Sequence, residues 1–190
     1  LARQEKIDEK INDQKVIGFI GGVDNPLINH FAAGYKAGAQ YIDPEITVLV
    51  DYVGGFNDPT TAKTIAGTFI EKGADIIFHA SGASGMGVFQ EAADKNIIAI
   101  GVNLNQNSID PDHIMASMLK RLDNCAYHPI ESVVNDTYTG ENQVLGLKDG
   151  GVDCTVEGSN IQVSDDILKQ LDEIKEKIIA GEIEVPSELN

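Results

Sequence analysis

Short apolar runs alternate with amphipathic segments along the first half of the chain. Four runs are rich in Val and Ile: VIGFI (16–20), TVLVDYV (47–53), DIIFHA (75–80) and IIAIGV (97–102). Continuous runs of this length are typical of strands buried on both faces. The segments between them, 26–40, 58–72 and 83–95, carry apolar residues at helical spacing. This alternation predicts right-handed βαβ units, and therefore an α/β fold with a parallel sheet flanked by helices.

Each predicted strand runs into a loop of small and polar residues. The four loops are GGVDN, GGFND, SGASGMG and NLNQNS. Parallel strands end at the same edge of a sheet, and ligands of open α/β sheets bind outside that edge. The sequence therefore predicts a ligand crevice where these loops meet.

The pattern beyond residue 114 is less regular. It predicts a long helix over 115–138, interrupted at Pro129, then a strand over 143–156 with a Gly-Gly turn inside it. A last helix is predicted over 164–180, with Ser164 as its N-cap. The apolar face of that helix has no obvious matching element within 1–114. We therefore expect it to pack against a second lobe in a longer protein, and against its own lobe or a second copy in this chain.

Residues 1–14, LARQEKIDEKINDQ, are polar and helix-prone. We interpret them as the tail of a preceding helix or as a linker, and expect that the chain begins inside a longer protein. No apolar run reaches the length of about 18 residues that a membrane-spanning helix requires.

Charge separates this chain from an average globular protein. Its 190 residues include 14 Lys and Arg against 30 Asp and Glu, a formal net charge of −16. Such a surface repels phosphate backbones and anionic lipid headgroups, which argues against nucleic acid or a membrane surface as partners.

The two cysteines, Cys125 and Cys154, have neither CxxC spacing nor a nearby His at ligand spacing. No metal site is predicted from them. Two interpretations stay open: a pair of buried free thiols, or a disulfide.

Catalytic patterns are weak. Four loop aspartates are candidates for acid–base chemistry or for ordinary caps and turns: Asp24, Asp58, Asp110 and Asp112. His30 and His79 lack a partner at a recognisable spacing, so structural roles are expected for both. The run SGASG does not fit the GxSxG pattern of a nucleophile elbow. The sequence thus favours binding without chemistry, and no cofactor is predicted.

Two loop features are candidates for ligand contact. The glycine-rich turn that begins at Gly82 either presents backbone N–H groups to a ligand or only allows a tight strand-to-helix turn. Phe56 follows a strand end and belongs to no apolar face. It either stacks on a planar ligand or folds back onto the next helix.

Several stretches together resemble the basic membrane protein family, solute-binding lipoproteins that act as nucleoside receptors of ABC transporters. The matching stretches are IGFIGGVDNPLINHFAAGYKAGAQYIDP (17–44), VGGFNDPTTAKTIAGTFIEKGADIIFHASGASGMGVFQEA (53–92), IAIGVNLNQ (98–106), ASMLKRLD (116–123) and VLGLKDGGVD (144–153). The resemblance implies one lobe of a type I periplasmic-binding-protein fold, with ligand bound between two lobes.

The resemblance also implies roles for individual residues. Phe56 matches the aromatic residue that stacks on the nucleobase, and Gly82 matches a glycine whose backbone contacts the ligand. Asn103 stands where relatives usually carry an Asp that binds the ribose hydroxyls, and Lys120 matches a lysine that reaches the ligand. An amide at 103 accepts and donates hydrogen bonds but lacks the strength of a carboxylate. Lys148 matches a motif near the hinge, and we expect no ligand contact from it.

On this resemblance the chain is expected to divide into a tail (1–14), a ligand-binding lobe (15–138), and a segment (139–190) that returns to the other lobe. The expected function is solute binding for an ABC transporter, with a nucleoside as ligand and a permease as partner. The expected location is the cell surface or periplasm, through a lipid anchor. One alternative is a cytoplasmic regulator that senses a ligand in the same cleft; an enzyme that acts on nucleosides is a weaker one.

Overall fold

The computed structural model describes residues 1 and 9–189, which form an α/β sandwich around one six-stranded sheet. Its strands are β1 (Val16–Gly21), β2 (Thr47–Tyr52), β3 (Ile76–Ala80), β4 (Ile98–Asn103), β5 (Ile114–Lys120) and β6 (Val152–Thr155). Its helices are α1 (Pro26–Ile42), α2 (Pro59–Glu71), α3 (Gly85–Lys95), α4 (Leu122–Val134) and α5 (Asp165–Ile179), with 3₁₀ turns at Gly82–Ser84 and Asn107–Ile109. The predicted α/β class is confirmed, as are the first four strands and the first three helices.

The strand order is β2-β1-β3-β4-β5-β6, with the first five strands parallel and β6 antiparallel to β5. From β1 the chain moves to one side to form β2, and then crosses back to form β3. The connections that leave β1 and β3 therefore diverge to opposite faces of the sheet. In sheets of this kind, the gap between such a pair of strands is the usual place of a ligand crevice.

Helices cover both faces of the sheet. On one face α2 and α3 pack against strand residues such as Ile20, Ile77 and Ala99, and on the other α1 packs against Phe19 and Phe78. Burial on both faces explains why these strands are apolar throughout rather than alternating. Local signals begin the helices: Asn25 and Asp58 accept hydrogen bonds as N-caps of α1 and α2, and a proline follows each.

The helix predicted over 115–138 is wrong in its first part. Residues 114–120 form strand β5, and the helix begins only at Leu122. Met, Ala, Leu and Lys in IMASMLK are good helix formers. Strand pairing overrides that preference because Ile114 and Met115 enter the cores on opposite faces of the sheet. Of the strand predicted over 143–156, only Val152–Thr155 forms one.

The apolar face of helix α5 lies toward its own lobe, one of the partners that the sequence left open. Its residue Ile167 is buried, and Lys175 pairs with Asp153 of β6 at 3.1 Å. Its apolar face borders a cavity of about 580 Å³ whose other walls are α1 and the sheet. The segment from β6 onward therefore contacts this lobe, while the division at residue 139 and self-association through 164–180 stay predictions.

The apolar residues of helix α4 are more exposed than those of α5. None of the α4 residues is buried, and Leu122, Ile130 and Val134 are exposed. Both cysteines are free, but Cys125 and Cys154 are exposed rather than buried as one interpretation held. The interpretation of residues 1–14 as the tail of a helix concerns mainly residues 2–8, which lie outside the described residues.

His79 is the largest polar side chain buried in the core of the sheet. Its ring lies edge-on to Phe89 with centroids 4.9 Å apart, and its Nδ1 is 3.3 Å from the Ser81 hydroxyl. Gly85 makes room for the ring, since an ideal Cβ there would lie 2.0 Å from the His79 Cε1. Burial lowers the pKa of His79 to about 4, against the opposing effect of the Gln106 side chain. The structural role expected for His79 therefore fits its surroundings, whereas His30 lies exposed on α1.

Two helical glycines allow a matched test of packing between α2 and α3. An ideal Cβ at Gly87 would lie 1.9 Å from the Pro59 carbonyl oxygen, whereas one at Gly38 of α1 would meet nothing within 4 Å. We predict that Gly87→Ala lowers the free energy of unfolding by about 1–3 kcal/mol. Gly38→Ala should raise it by about 0.5–1 kcal/mol, because alanine restricts the unfolded chain. Urea unfolding measures both, and equal effects would contradict the close approach of the two helices.

A second prediction concerns pH. Above pH 6.5 His79 is neutral in the folded and unfolded chains; as the pH falls toward 4, only the unfolded chain takes up the proton. The free energy of unfolding should therefore fall by about 2 kcal/mol from this residue between pH 7 and pH 5. His79→Gln should remove that part of the pH dependence, and His30→Gln, at an exposed histidine, should not. Identical slopes for the His79→Gln variant and the wild type would contradict the assignment.

Candidate functional site

The candidate site lies where β1 and β3 send their connections to opposite faces. Gly22 follows β1 and Gly82 follows β3, and the backbone N–H of Gly22 donates to the Ala80 carbonyl at 3.0 Å. Gly82 has a φ of +59°, a conformation that suits glycine. Two residues without side chains thus lie at the point where a crevice is expected, with Gly22 buried and Gly82 exposed.

Phe56, from the loop after β2, lies over this pair of glycines. An ideal Cβ at Gly22 would lie 2.2 Å from the Phe56 Cε1, and one at Gly82 would lie 3.2 Å from the Phe56 Cβ. The aromatic ring therefore rests on backbone that any larger residue would block. Phe56 remains 42% exposed, so it does not enter the core.

Ser84 fixes the Phe56 loop to the turn after β3. Its backbone N–H donates to the Phe56 carbonyl at 3.0 Å. Its hydroxyl donates to the Gly55 carbonyl at 3.2 Å and accepts from the Asp58 N–H at 2.9 Å. These bonds hold the loop from both sides of Phe56. The sequence pattern did not single out Gly22 or Ser84, although both lie in the small-residue loops predicted to meet here.

Asn103 and Lys120 extend the same edge of the sheet. Asn103 is the last residue of β4 and pairs with Leu119 of β5, the residue before Lys120. Both side chains are exposed. Among the described residues Lys120 has no carboxylate partner, whereas its neighbour Arg121 is paired with Asp123 at 2.7 Å. Lys120 also borders a surface cavity of about 420 Å³ beside α4.

The structure places the four predicted residues along one edge, in two groups. Phe56 and Gly82 are in contact across the switch point, and Asn103 and Lys120 follow on the next two strands. The edge offers an aromatic face, exposed backbone, an amide and an ammonium group. That combination suits a small ligand with a planar ring and hydroxyl groups.

The loop aspartates have local roles instead of forming a pair. Asp58 caps α2, and its hydrogen bond from the Thr61 hydroxyl holds its pKa below the usual range. Asp110 contacts His113 at 2.9 Å, and Asp112 accepts from Asn160. Asp24 accepts from the Asn29 amide. Each of the four thus has a structural hydrogen-bond partner, and Asp58 is a helix cap.

The described residues form neither a metal cluster nor a membrane-spanning helix. Residues 1 and 9–189 contain no group of three His, Cys, Asp or Glu side chains placed to hold a metal ion. Over the same part of the chain, the helices are too short or too polar to cross a bilayer.

Comparison with known proteins identifies a family for most of the chain. Residues 10–188 match the family described as Bmp, ABC transporter substrate-binding protein PnrA-like. Over 176 residues the chain is 33% identical to basic membrane protein D of Borreliella burgdorferi, covering 90% of this chain and 51% of that protein. Over 190 residues it is 32% identical to the ABC transporter nucleoside-binding protein BmpA of Lactococcus lactis subsp. cremoris, covering 90% and 53%.

A solved structure agrees. An ABC transporter solute-binding protein from Aeropyrum pernix K1 superposes with a TM-score of 0.74 at 27% identity, over 90% of this chain and 57% of that one. The chain spans about half the length of the curated relatives it matches. The matched family consists of substrate-binding proteins, which confirms the prediction of binding rather than catalysis. The predicted family is confirmed: this chain belongs to the Bmp family of PnrA-like ABC transporter substrate-binding proteins.

Proposed function

We propose that this chain supplies one wall of a nucleoside-binding site in the solute-binding component of an ABC transporter. The observation that carries the proposal is Phe56, a ring supported from below by Gly22 and Gly82 yet 42% exposed above. A flat aromatic surface held at a crevice favours a planar ligand by stacking, by about 0.5–1.5 kcal/mol beyond the area buried.

The remaining groups suit the other half of a nucleoside. The Asn103 amide both donates and accepts, so it matches ribose hydroxyls, which do the same. Lys120 adds a hydrogen-bond donor, and no carboxylate among the described residues pairs with it. The backbone at Gly82 is accessible to polar atoms on the ring. A nucleoside is neutral, which agrees with a formal net charge of −16 that would repel nucleotides.

Other parts of the proposal concern the whole protein. The Lactococcus relative is named as a nucleoside-binding protein of an ABC transporter, which supports a nucleoside ligand and a permease as partner here. Several relatives are named basic membrane proteins, which supports a location at the cell surface or periplasm. The acidic surface gives no attraction to anionic lipids, so attachment would depend on a lipid anchor.

Inosine is a suitable probe, with Phe56→Ala as the test variant. The 190-residue chain offers one wall, so the contacts of one side must offset the lost translational and rotational freedom of the ligand. We expect affinity no tighter than roughly millimolar, near −4 kcal/mol. Phe56→Ala should weaken that affinity about tenfold or more, while the Tm moves little. Backbone amide shifts in an NMR titration measure the affinity, and thermal unfolding measures the Tm.

Tyr41→Ala is the matched control, because Tyr41 is a similarly exposed aromatic residue near the far end of α1. It should leave inosine affinity unchanged. The proposed stacking role is contradicted if Phe56→Ala lowers the Tm but keeps the affinity, since Phe56 is then a packing residue.

A further inference from the structure

The backbone at Asn103 makes an unusually tight turn. The N–H of Leu104 donates to the Val102 carbonyl at 2.8 Å, two residues back, and Asn103 between them has a φ of +68°. A three-residue turn with positive φ at its centre is rare and strained. Asn tolerates positive φ better than most residues, but it does not adopt it without help.

Apolar packing holds the first residue of this turn, Val102, but not the two residues that follow it. Asn103 is exposed, and Leu104 beside it is 69% exposed. The restraint must therefore come from the polar groups beneath the loop.

Gln106 provides the first of these groups. Its side chain folds back under β4, where its Oε1 accepts from the Val102 N–H at 2.7 Å. Gly101 makes this possible, since an ideal Cβ there would lie 2.9 Å from that Oε1 and 2.6 Å from the Ser117 Oγ. The amide of Gln106 thus occupies the space of a missing side chain and fixes the residue that precedes the turn.

Ser117 and Asn107 hold Gln106 in place. The Ser117 hydroxyl accepts from the Gln106 N–H at 3.0 Å and donates to the Asn107 Oδ1 at 2.7 Å. The Asn107 amide donates to the Glu157 carbonyl at 2.9 Å and to the Thr155 carbonyl at 3.2 Å. Ser117 and Asn107 are both 0% exposed. A buried network therefore joins the loop after β4 to β5 and to the segment after β6.

We propose that Gln106, Asn107 and Ser117 are positioning residues that hold the Asn103 turn in its strained form before ligand arrives, and so set the preference for ribose over 2′-deoxyribose. The ribose part rests on the proposed function. The physical reason is preorganisation: a backbone already held in one conformation at Asn103 has less freedom to lose on binding. A fully hydrogen-bonded network in a buried setting is rigid enough to supply that order.

The test compares Gln106→Met with Gln106→Glu in the 190-residue chain. Methionine keeps the length of the side chain but offers no strong acceptor to the Val102 N–H, whereas glutamate keeps the acceptor. Ser108→Ala, at an exposed hydroxyl in the same loop, is the control. Hydrogen exchange of the Val102 and Leu104 amides reports on the turn without any ligand. Parallel titrations with inosine and 2′-deoxyinosine report on sugar preference.

We expect Gln106→Met to accelerate exchange at Val102 and Leu104 roughly tenfold or more, with no change at Ile100. The preference for inosine over 2′-deoxyinosine should fall with it, whereas Gln106→Glu and Ser108→Ala should keep both properties near the wild type. Adding Asn103→Gly to Gln106→Met should restore slow exchange at Leu104, because glycine adopts positive φ freely. It should not restore sugar preference, because the amide is gone.

Unchanged exchange in Gln106→Met would overturn the inference that the network holds the turn. Faster exchange with unchanged sugar preference would overturn its link to ribose. If the wild-type chain binds no nucleoside, the proposed function fails and the ribose link with it, and the exchange rates still decide whether the network holds the turn. Should Gln106→Met fail to fold, Ser117→Ala removes the support of Gln106 from below and is judged by the same exchange rates.

Discussion

The order of the strands is the constraint on which the rest of the structure depends. Because β1 has β2 on one side and β3 on the other, the chain leaves these two central strands toward opposite faces of the sheet. The gap between the two connections is open to solvent without any cavity having to form in the core. Gly22 and Gly82 stand at its two sides, Phe56 covers both, and Asn103 and Lys120 follow on the next strands along the same edge. The order of the strands thus places the candidate site, and small residues at this edge allow a close approach to the backbone.

Much of this was predictable because the relevant signals are local. Short apolar runs gave the first four strands, and the caps at Asp58 and Ser164 marked two helix starts. Strand β5 escaped prediction because its residues favour helix and only pairing with β4 and β6 makes them a strand. The partner of α5 stayed open between its own lobe and a second copy for a related reason: its face lies toward the sheet and α1, and α1 is more than a hundred residues away in sequence.

The residues of the candidate site divide in the same way, into those with a local signal in the sequence and those recognisable only in the folded chain. Phe56 stood out as an aromatic residue that belongs to no apolar face, and Gly82 as the start of a glycine-rich turn whose role stayed open. Asn103 and Lys120 came from family resemblance alone, and the structure adds that both end neighbouring strands. Ser84, Gln106 and Ser117 were not singled out, because a buried polar side chain is recognisable only through partners that are distant in sequence or lie in a folded loop. The strain at Asn103 likewise has no sequence signature, since asparagine occurs in many unstrained loops.

The central claim is that a planar, neutral ligand binds across the switch point, on the Phe56 side of the sheet edge. It is tested most directly by the ¹H–¹⁵N NMR spectrum of the labelled chain during titration with inosine. The account predicts that the largest, saturable shifts fall on the backbone amides of Gly22, Phe56, Gly82 and Asn103. Shifts that concentrate instead around Tyr35 and Gly38, beside the apolar cavity under α5, would place the ligand elsewhere and contradict the account.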